Sequence, residues 1–179
     1  MIAPDAETFD PQRVFVGLFP GPAVQAAIDA HRRGWYWPAG STQPKPHRLH
    51  LTLHFFGSLG RAERAALQQA LLGVGFDPFT LLLSRPALWP HNRVAVLQPE
   101  ECAQLRALHA RTADAIRRIG LATAPDWQPH VTLGRRAAHA NPPDAPLAVR
   151  WAVDTFVLVV SHREPLWRYD VLARYPAGG

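Results

Sequence analysis

Two short stretches of this chain carry residue types suited to acid–base chemistry, at the same spacing and in the same apolar frame. His50-Leu51-Thr52-Leu53 recurs as His130-Val131-Thr132-Leu133, about half of the 179-residue chain further on. In an extended strand, residues two apart share a face. Each copy therefore sends an imidazole and a hydroxyl one way and two aliphatic side chains the other. A strand with only a structural role shows water Asp, Glu, Lys or Arg; showing His and Thr twice points to one shared cleft. Two facing imidazoles suit in-line displacement at phosphorus, where a neutral ring takes a proton from attacking water and a protonated ring gives one to the departing oxygen. The ordinary imidazole pKa of about 6.5 makes both forms accessible near neutrality without a metal. The hydroxyls of Thr52 and Thr132 can hydrogen-bond the non-bridging oxygens as negative charge grows on them. Arg135, five residues after His130, can bring a guanidinium to the same phosphate.

The other reactive side chains fit less well. His47, His50 and His54 would cluster on a helix. On a strand, His47 and His50 face opposite ways and His50 and His54 lie roughly 13 Å apart, so no metal site is expected. His31, His91, His109, His139 and His162 have no patterned partners and are read as surface residues. Cys102, the single cysteine, falls in a helical pattern, cannot form an internal disulfide and is not read as a nucleophile.

The elements that must position the repeated motif follow from periodicity. Residues 13–19 read as a strand stopped by Pro20-Gly21-Pro22, 23–33 as a helix stopped by Gly34, and 34–47 as an irregular loop with Trp35, Tyr36 and Trp37. Residues 49–55 alternate throughout, which places Leu49, Leu51, Leu53 and Phe55 on a buried face and His50, Thr52 and His54 on the other. After a loop at 57–60, residues 61–72 predict a second helix. Residues 79–83 and 93–97 predict neighbouring strands, and 99–119 a long helix closed by Gly120. Residues 129–135 form a strand, 137–146 a loop, and 148–161 and 167–174 an antiparallel pair joined through His162-Arg163-Glu164-Pro165. Strands cluster between helices instead of alternating with them, so the fold class is α+β with antiparallel sheets. No Gly-rich phosphate loop is present.

Composition bounds the rest. With 47% hydrophobic residues, 179 residues make one domain with a real core. No apolar run approaches the roughly 20 residues of a membrane span, and residues 1–11 bear Asp5, Glu7 and Asp10 in place of a secretory leader, so a cytoplasmic location is expected. The net charge is +5 and Lys45 is the one lysine. The positive charge is thus nearly all guanidinium, which favours a phosphorylated or nucleic-acid partner.

The stretches Leu49-His50-Leu51-Thr52-Leu53-His54-Phe55-Phe56-Gly57 and Pro129-His130-Val131-Thr132-Leu133-Gly134-Arg135 resemble the paired signatures of the two-histidine (2H) phosphoesterases, specifically the bacterial and archaeal 2′-5′ RNA ligase family. The resemblance runs from the Phe15 strand to the closing Tyr169-Asp170-Val171-Leu172 strand. It implies a bilobal fold with a pseudo-twofold axis, two antiparallel sheets lining a central cleft, helices outside, and no metal or nucleotide cofactor. The implied reaction opens a 2′,3′-cyclic phosphate on an RNA end, tRNA fragments included, to a 2′-phosphomonoester. A slow reverse activity would join ends through a 2′-5′ linkage. By position, His50 and His130 would be catalytic, with His50 the acid and His130 the base. Thr52, Thr132 and Arg135 would bind the phosphate, and Phe55 would lie near the terminal base. A monomer is expected. The competing readings are a relative acting on another cyclic or 2′-5′-linked nucleotide, with loops 34–47 and 137–146 setting the choice, and a non-catalytic module that binds RNA ends.

Overall fold

The computed structural model describes residues 11–163 and 167–178. Its elements are β1 (Gln12–Leu18), α1 (Pro22–Arg33), β2 (Leu51–Leu59), α2 (Arg61–Leu71), β3 (Phe79–Trp89), β4 (Val94–Pro99), α3 (Ala103–Arg118), β5 (Val131–Arg135), β6 (Val149–Val153), β7 (Thr155–His162) and β8 (Arg168–Pro176). A single 3-10 turn, Pro46–Arg48, leads into β2. Among the described residues, no helix is long and apolar enough to cross a membrane.

The strands form one eight-stranded sheet in the order β6-β3-β4-β5-β2-β1-β7-β8, with every pairing antiparallel. This modifies the expectation of two sheets. Outward from the centre, the order reads β5-β4-β3-β6 on one side and β2-β1-β7-β8 on the other. The two four-stranded halves join through one residue pair, Leu51 opposite Val131.

The expected strand at 148–161 is two strands. β6 pairs with β3 at one margin of the sheet, β7 pairs with β1 and β8 near the other, and only Asp154 lies between them. A one-residue connection between such distant positions requires the sheet to curl until they meet. The Asp154 carbonyl accepts the Ala177 amide there at 2.7 Å. Further boundaries differ: β3 runs beyond the expected end at 83 to Trp89, with Pro86 paired opposite Leu97. β2 continues through the expected loop to Leu59, and the third helix starts at Ala103 because Gln98 and Pro99 belong to β4 and the Glu100 amide still reaches the Leu82 carbonyl across the strand pair. The turn expected at His162-Arg163-Glu164-Pro165 lies partly outside the described residues.

Burial separates the two faces of the sheet. Val14, Val16, Leu18, Leu51, Leu53, Val131 and Leu133 join Ile28 of α1, Leu67 and Leu71 of α2, and Leu105, Leu108 and Ile116 of α3 in the main core. The helices therefore cover this face. On the opposite face of β1 and β7, Phe15, Val157 and Val159 pack with Phe19 and Tyr169, and no helical residue joins them. That uncovered face carries the site.

Loop 34–47 is pinned to the scaffold. The Arg32 guanidinium pairs with Asp29 and donates to the Pro44 carbonyl at 2.6 Å. The Trp37 indole donates to the Arg32 carbonyl, and Thr42 and Arg135 exchange backbone hydrogen bonds of 3.0 and 2.8 Å. Trp37 packs against Gly134, where a Cβ would sit 2.4 Å from its ring, so only glycine fits. Tyr36 and Asn141 bridge this loop to 137–146.

Candidate active site

The pairing of Leu51 with Val131 decides how the two motifs face each other. In an antiparallel pair, moving one residue along one strand moves one residue back on the other. Carried one step each way, this register sets His50 beside Thr132 and Thr52 beside His130. The two signatures are thus related by a local twofold through the pair. All four side chains line one cavity of about 450 Å³.

Both motif strands bulge at the same place. Between β1 and β2 the register passes from Gly17–Thr52 to Val16–His54, leaving Leu53 as an extra residue. Between β4 and β5 it passes from Val96–Thr132 to Ala95–Gly134, leaving Leu133. A bulge inserts one unpaired residue and so inverts the sense of alternation beyond it. Under strict alternation His130 and Arg135 would face opposite ways; past the bulge, Arg135 turns into the cavity beside His130. The same inversion corrects the reading of β2. His54 turns into the core at 5% exposure, and Phe55, cross-strand from Phe15, leaves the face of Leu51 and Leu53 and stands 51% exposed on the cleft side. Phe55 does not line the cavity itself.

Each catalytic candidate is held by the carbonyl two residues before it. The Nδ1–H of His50 donates to Arg48 at 2.7 Å, and that of His130 to Gln128 at 2.8 Å. A carbonyl only accepts, so this fixes the tautomer and leaves each Nε2 to take or give a proton. The surroundings of the two rings differ. His50 is walled by Phe15, Phe19 and Tyr169, at centroid distances of 4.8, 5.3 and 5.4 Å. Burial pushes its pKa down to about 4, against the Arg48 carbonyl and with help from the His130 and Arg135 charges. His130 rests on the edge of Trp89 at 4.5 Å, and burial lowers its pKa below 6.5, opposed by the Gln128 carbonyl and aided by Arg135.

The remaining lining is built for an anion. Arg48, Arg135 and Arg136 share the cavity with Thr42, Gln43, Pro44, Trp167 and Tyr169, and no carboxylate is among the described lining residues. Arg48 also has a buried Nε with no hydrogen-bond partner. His47 lies in the exposed turn before β2, away from His54. Among the described residues no three His, Cys, Asp or Glu side chains converge. Sequence reasoning did not include Arg48, Arg136, Tyr169 or Trp167. Arg48 was within reach, because the position two before each histidine supplies the anchoring carbonyl. Tyr169 gave no signal, since only the β7–β8 pairing carries it to His50.

Beneath the motif strands lies a column of rings. His54 stacks on His109 of α3 at 4.4 Å, and His109 stacks on Trp127 at 3.9 Å with 7° between planes. The expected surface position of His109 is thereby corrected to a half-buried one. His54 Nε2 lies 2.8 Å from Thr112 Oγ1, and the Trp127 indole donates to the Thr52 carbonyl at 2.9 Å. Burial pushes both histidines down to about 4 from 6.5. Between these values the unfolded chain binds protons that the folded chain refuses, so their contribution to stability is complete above pH 6.5 and is lost as pH falls through 4. Denaturant midpoints are expected to drop from pH 7 to pH 5; equal midpoints would contradict this burial.

Comparison with known proteins agrees with this architecture. Residues 20–165 match the family model described as the 2′-5′ RNA ligase superfamily. An RNA 2′,3′-cyclic phosphodiesterase of Thermus thermophilus is 30% identical over 93% of this chain and 91% of its own length. A protein of the same name from Archaeoglobus fulgidus is 23% identical over 80% of this chain and 83% of its own. The crystal structure of E. coli LigT complexed with 3′-AMP superposes with a TM-score of 0.85 at 25% identity, covering 95% of this chain and 100% of that one. Paired His-x-Thr strands at the centre of a curled antiparallel sheet, together with a family match across most of its length, make this chain a member of the 2′-5′ RNA ligase superfamily of two-histidine phosphoesterases.

Proposed function

We propose that the protein is a metal-independent RNA 2′,3′-cyclic phosphodiesterase. One observation carries the reading: two imidazoles, each with Nδ1 tied to a backbone carbonyl and Nε2 left free, share a single arginine-lined cavity. His130 takes a proton from water as the water oxygen bonds to phosphorus. His50 gives its proton to the ribose 3′-oxygen as the P–O3′ bond breaks, leaving a 2′-phosphomonoester. Thr52, Thr132, Arg135 and Arg48 meet the charge that develops on the non-bridging oxygens. Phe55, on the cleft face, stacks a base. The reverse reaction joins ends through a 2′-5′ linkage, and the protein acts as a monomer on RNA ends such as those of cleaved tRNA. The names of the Thermus and Archaeoglobus relatives support the substrate class.

The deciding assay incubates RNA ending in a 2′,3′-cyclic phosphate with protein and a chelator. A 2′-phosphate end is expected; a 3′-phosphate end or an unchanged cyclic end overturns the reading.

The pH dependence carries a sign. Both histidines are depressed, His50 to about 4, so the kcat/KM profile, which reports the free enzyme, is expected to be a bell centred below 6.5. A phosphate anion between the rings favours their charged forms, so that His50 takes up from solvent the proton it must hold. The kcat profile is therefore displaced to higher pH. Coincident profiles, or a rate still rising at pH 9, contradict the protonated partner.

A further inference from the structure

The uncovered face extends past the catalytic cavity. Along β1, Arg13, Phe15, Gly17 and Phe19 alternate with the core residues Val14, Val16 and Leu18, so Arg13 shares the face on which Phe15 and Phe19 contact His50. Phe55 lies across from Phe15, and the Arg13 guanidinium stands 4.9 Å over the Phe55 ring. A second such pair, Arg163 over Trp167 at 5.9 Å, borders the cavity through Trp167. The buried Nε of Arg13 has no hydrogen-bond partner among the described residues. Burial, and then the nearby Arg163 and Arg135 charges, lower its pKa, with only the Tyr169 hydroxyl pulling the other way. Cations thus gather here with aromatic planes beneath them.

We propose that Arg13 with Phe55, flanked by Arg163 with Trp167, forms a second subsite that binds the nucleotide preceding the cyclic phosphate, its base on Phe55 and its internucleotide phosphate at Arg13. This rests on the phosphodiesterase reading and deepens it. A terminal cyclic phosphate carries one negative charge, while the cavity alone supplies Arg48, Arg135 and Arg136. The further guanidiniums match a further phosphate. Same-face positions on a strand step by roughly 7 Å, close to the reach from one nucleotide to the next in an extended chain. Stacking on exposed aromatic rings beside arginines is how single strands are held without sequence readout. The occupant is therefore an oligoribonucleotide end, not a lone nucleoside cyclic phosphate.

The test compares a nucleoside 2′,3′-cyclic phosphate with a dinucleotide ending in the same group. The dinucleotide is expected to have a kcat/KM about tenfold higher or more. Arg13→Gln should remove most of that preference, lower the slope of log affinity against log salt by about 0.7, and leave the nucleoside substrate at the wild-type rate. Equal kcat/KM for the two substrates, or an unchanged preference in Arg13→Gln, overturns the subsite. Anisotropy with a labelled tetraribonucleotide carrying a 2′-phosphate reads Arg13 independently of turnover. Loss of hydrolysis on both substrates with an Arg13-dependent affinity retained refutes the phosphodiesterase and keeps the subsite.

A separate observation assigns a role to Trp127. Its indole holds the Thr52 carbonyl of the first motif, and its backbone leads directly into Gln128, whose carbonyl anchors His130 of the second. The two motif strands share a single pair, so few direct backbone hydrogen bonds join them at this point. We infer that Trp127 is a positioning residue that sets the distance between the motifs. Trp127→Phe keeps the stack on His109 and loses the N–H, and is expected to lower kcat about tenfold with KM unchanged. Benzothienylalanine at 127, equal in shape and without the donor, should do the same with the far-ultraviolet spectrum retained. Wild-type kcat in either variant refutes the role.

Discussion

Replacing His50 or His130 with Ala is expected to slow hydrolysis of the cyclic phosphate by about two to four orders of magnitude, with the far-ultraviolet spectrum retained. Both side chains face the cavity and neither is part of the helix-covered core. The double variant should lose little beyond either single one, because an acid without its base no longer completes the proton traffic. A substrate whose leaving group needs no proton separates the two roles. On a p-nitrophenyl phosphodiester of the nucleoside, the variant lacking the acid should recover most of its rate, and the variant lacking the base should not. Recovery is expected for His50→Ala. Recovery by His130→Ala reverses the two assignments, a result that the stronger depression of His50 makes informative. Full activity in either alanine variant refutes the dyad.

Arg135→Ala should cost about two to three orders of magnitude in kcat/KM, the usual loss when a donor to developing charge is removed. The backbone of Arg135 exchanges hydrogen bonds with Thr42 whatever its side chain, and the residue is exposed, so the fold is expected to survive. Arg135→Lys should restore charge without the two-pronged geometry and recover only part of the loss. Rates within about twofold of wild type for Arg135→Ala would leave the phosphate to Arg48 and Arg136.

The motifs were legible because each is a local pattern. His50-x-Thr52 and His130-x-Thr132 alternate with Leu51, Leu53, Val131 and Leu133, and those aliphatics are buried as a period of two requires. What lay beyond the motifs was harder to read, for identifiable reasons. A bulge is a property of two strands, so nothing in residues 49–55 signals that Leu53 is the extra residue; only its partner β1 reveals it. Phe55 and His54 were therefore assigned to each other's faces. The segment around Asp154 reads as one strand because Trp151, Val153, Phe156 and Val157 are all buried, and its division depends on partners far away in the chain. Tyr169 reaches the cavity through tertiary placement that no spacing encodes. Helices fared better: α1 and α2 begin and end close to the expected residues, as amphipathic segments bounded by Pro and Gly should.

Asp154 has one more implication. A tether one residue long has no slack, so the opposite flanks of the sheet cannot part at that end without breaking strand pairing. The spacing between the two imidazoles is then set by the fold, and on the proposed reading an RNA end would meet rings already at their working separation. Lengthening that link by a few glycines would make the gap adjustable and convert a rigid clasp into a loose one.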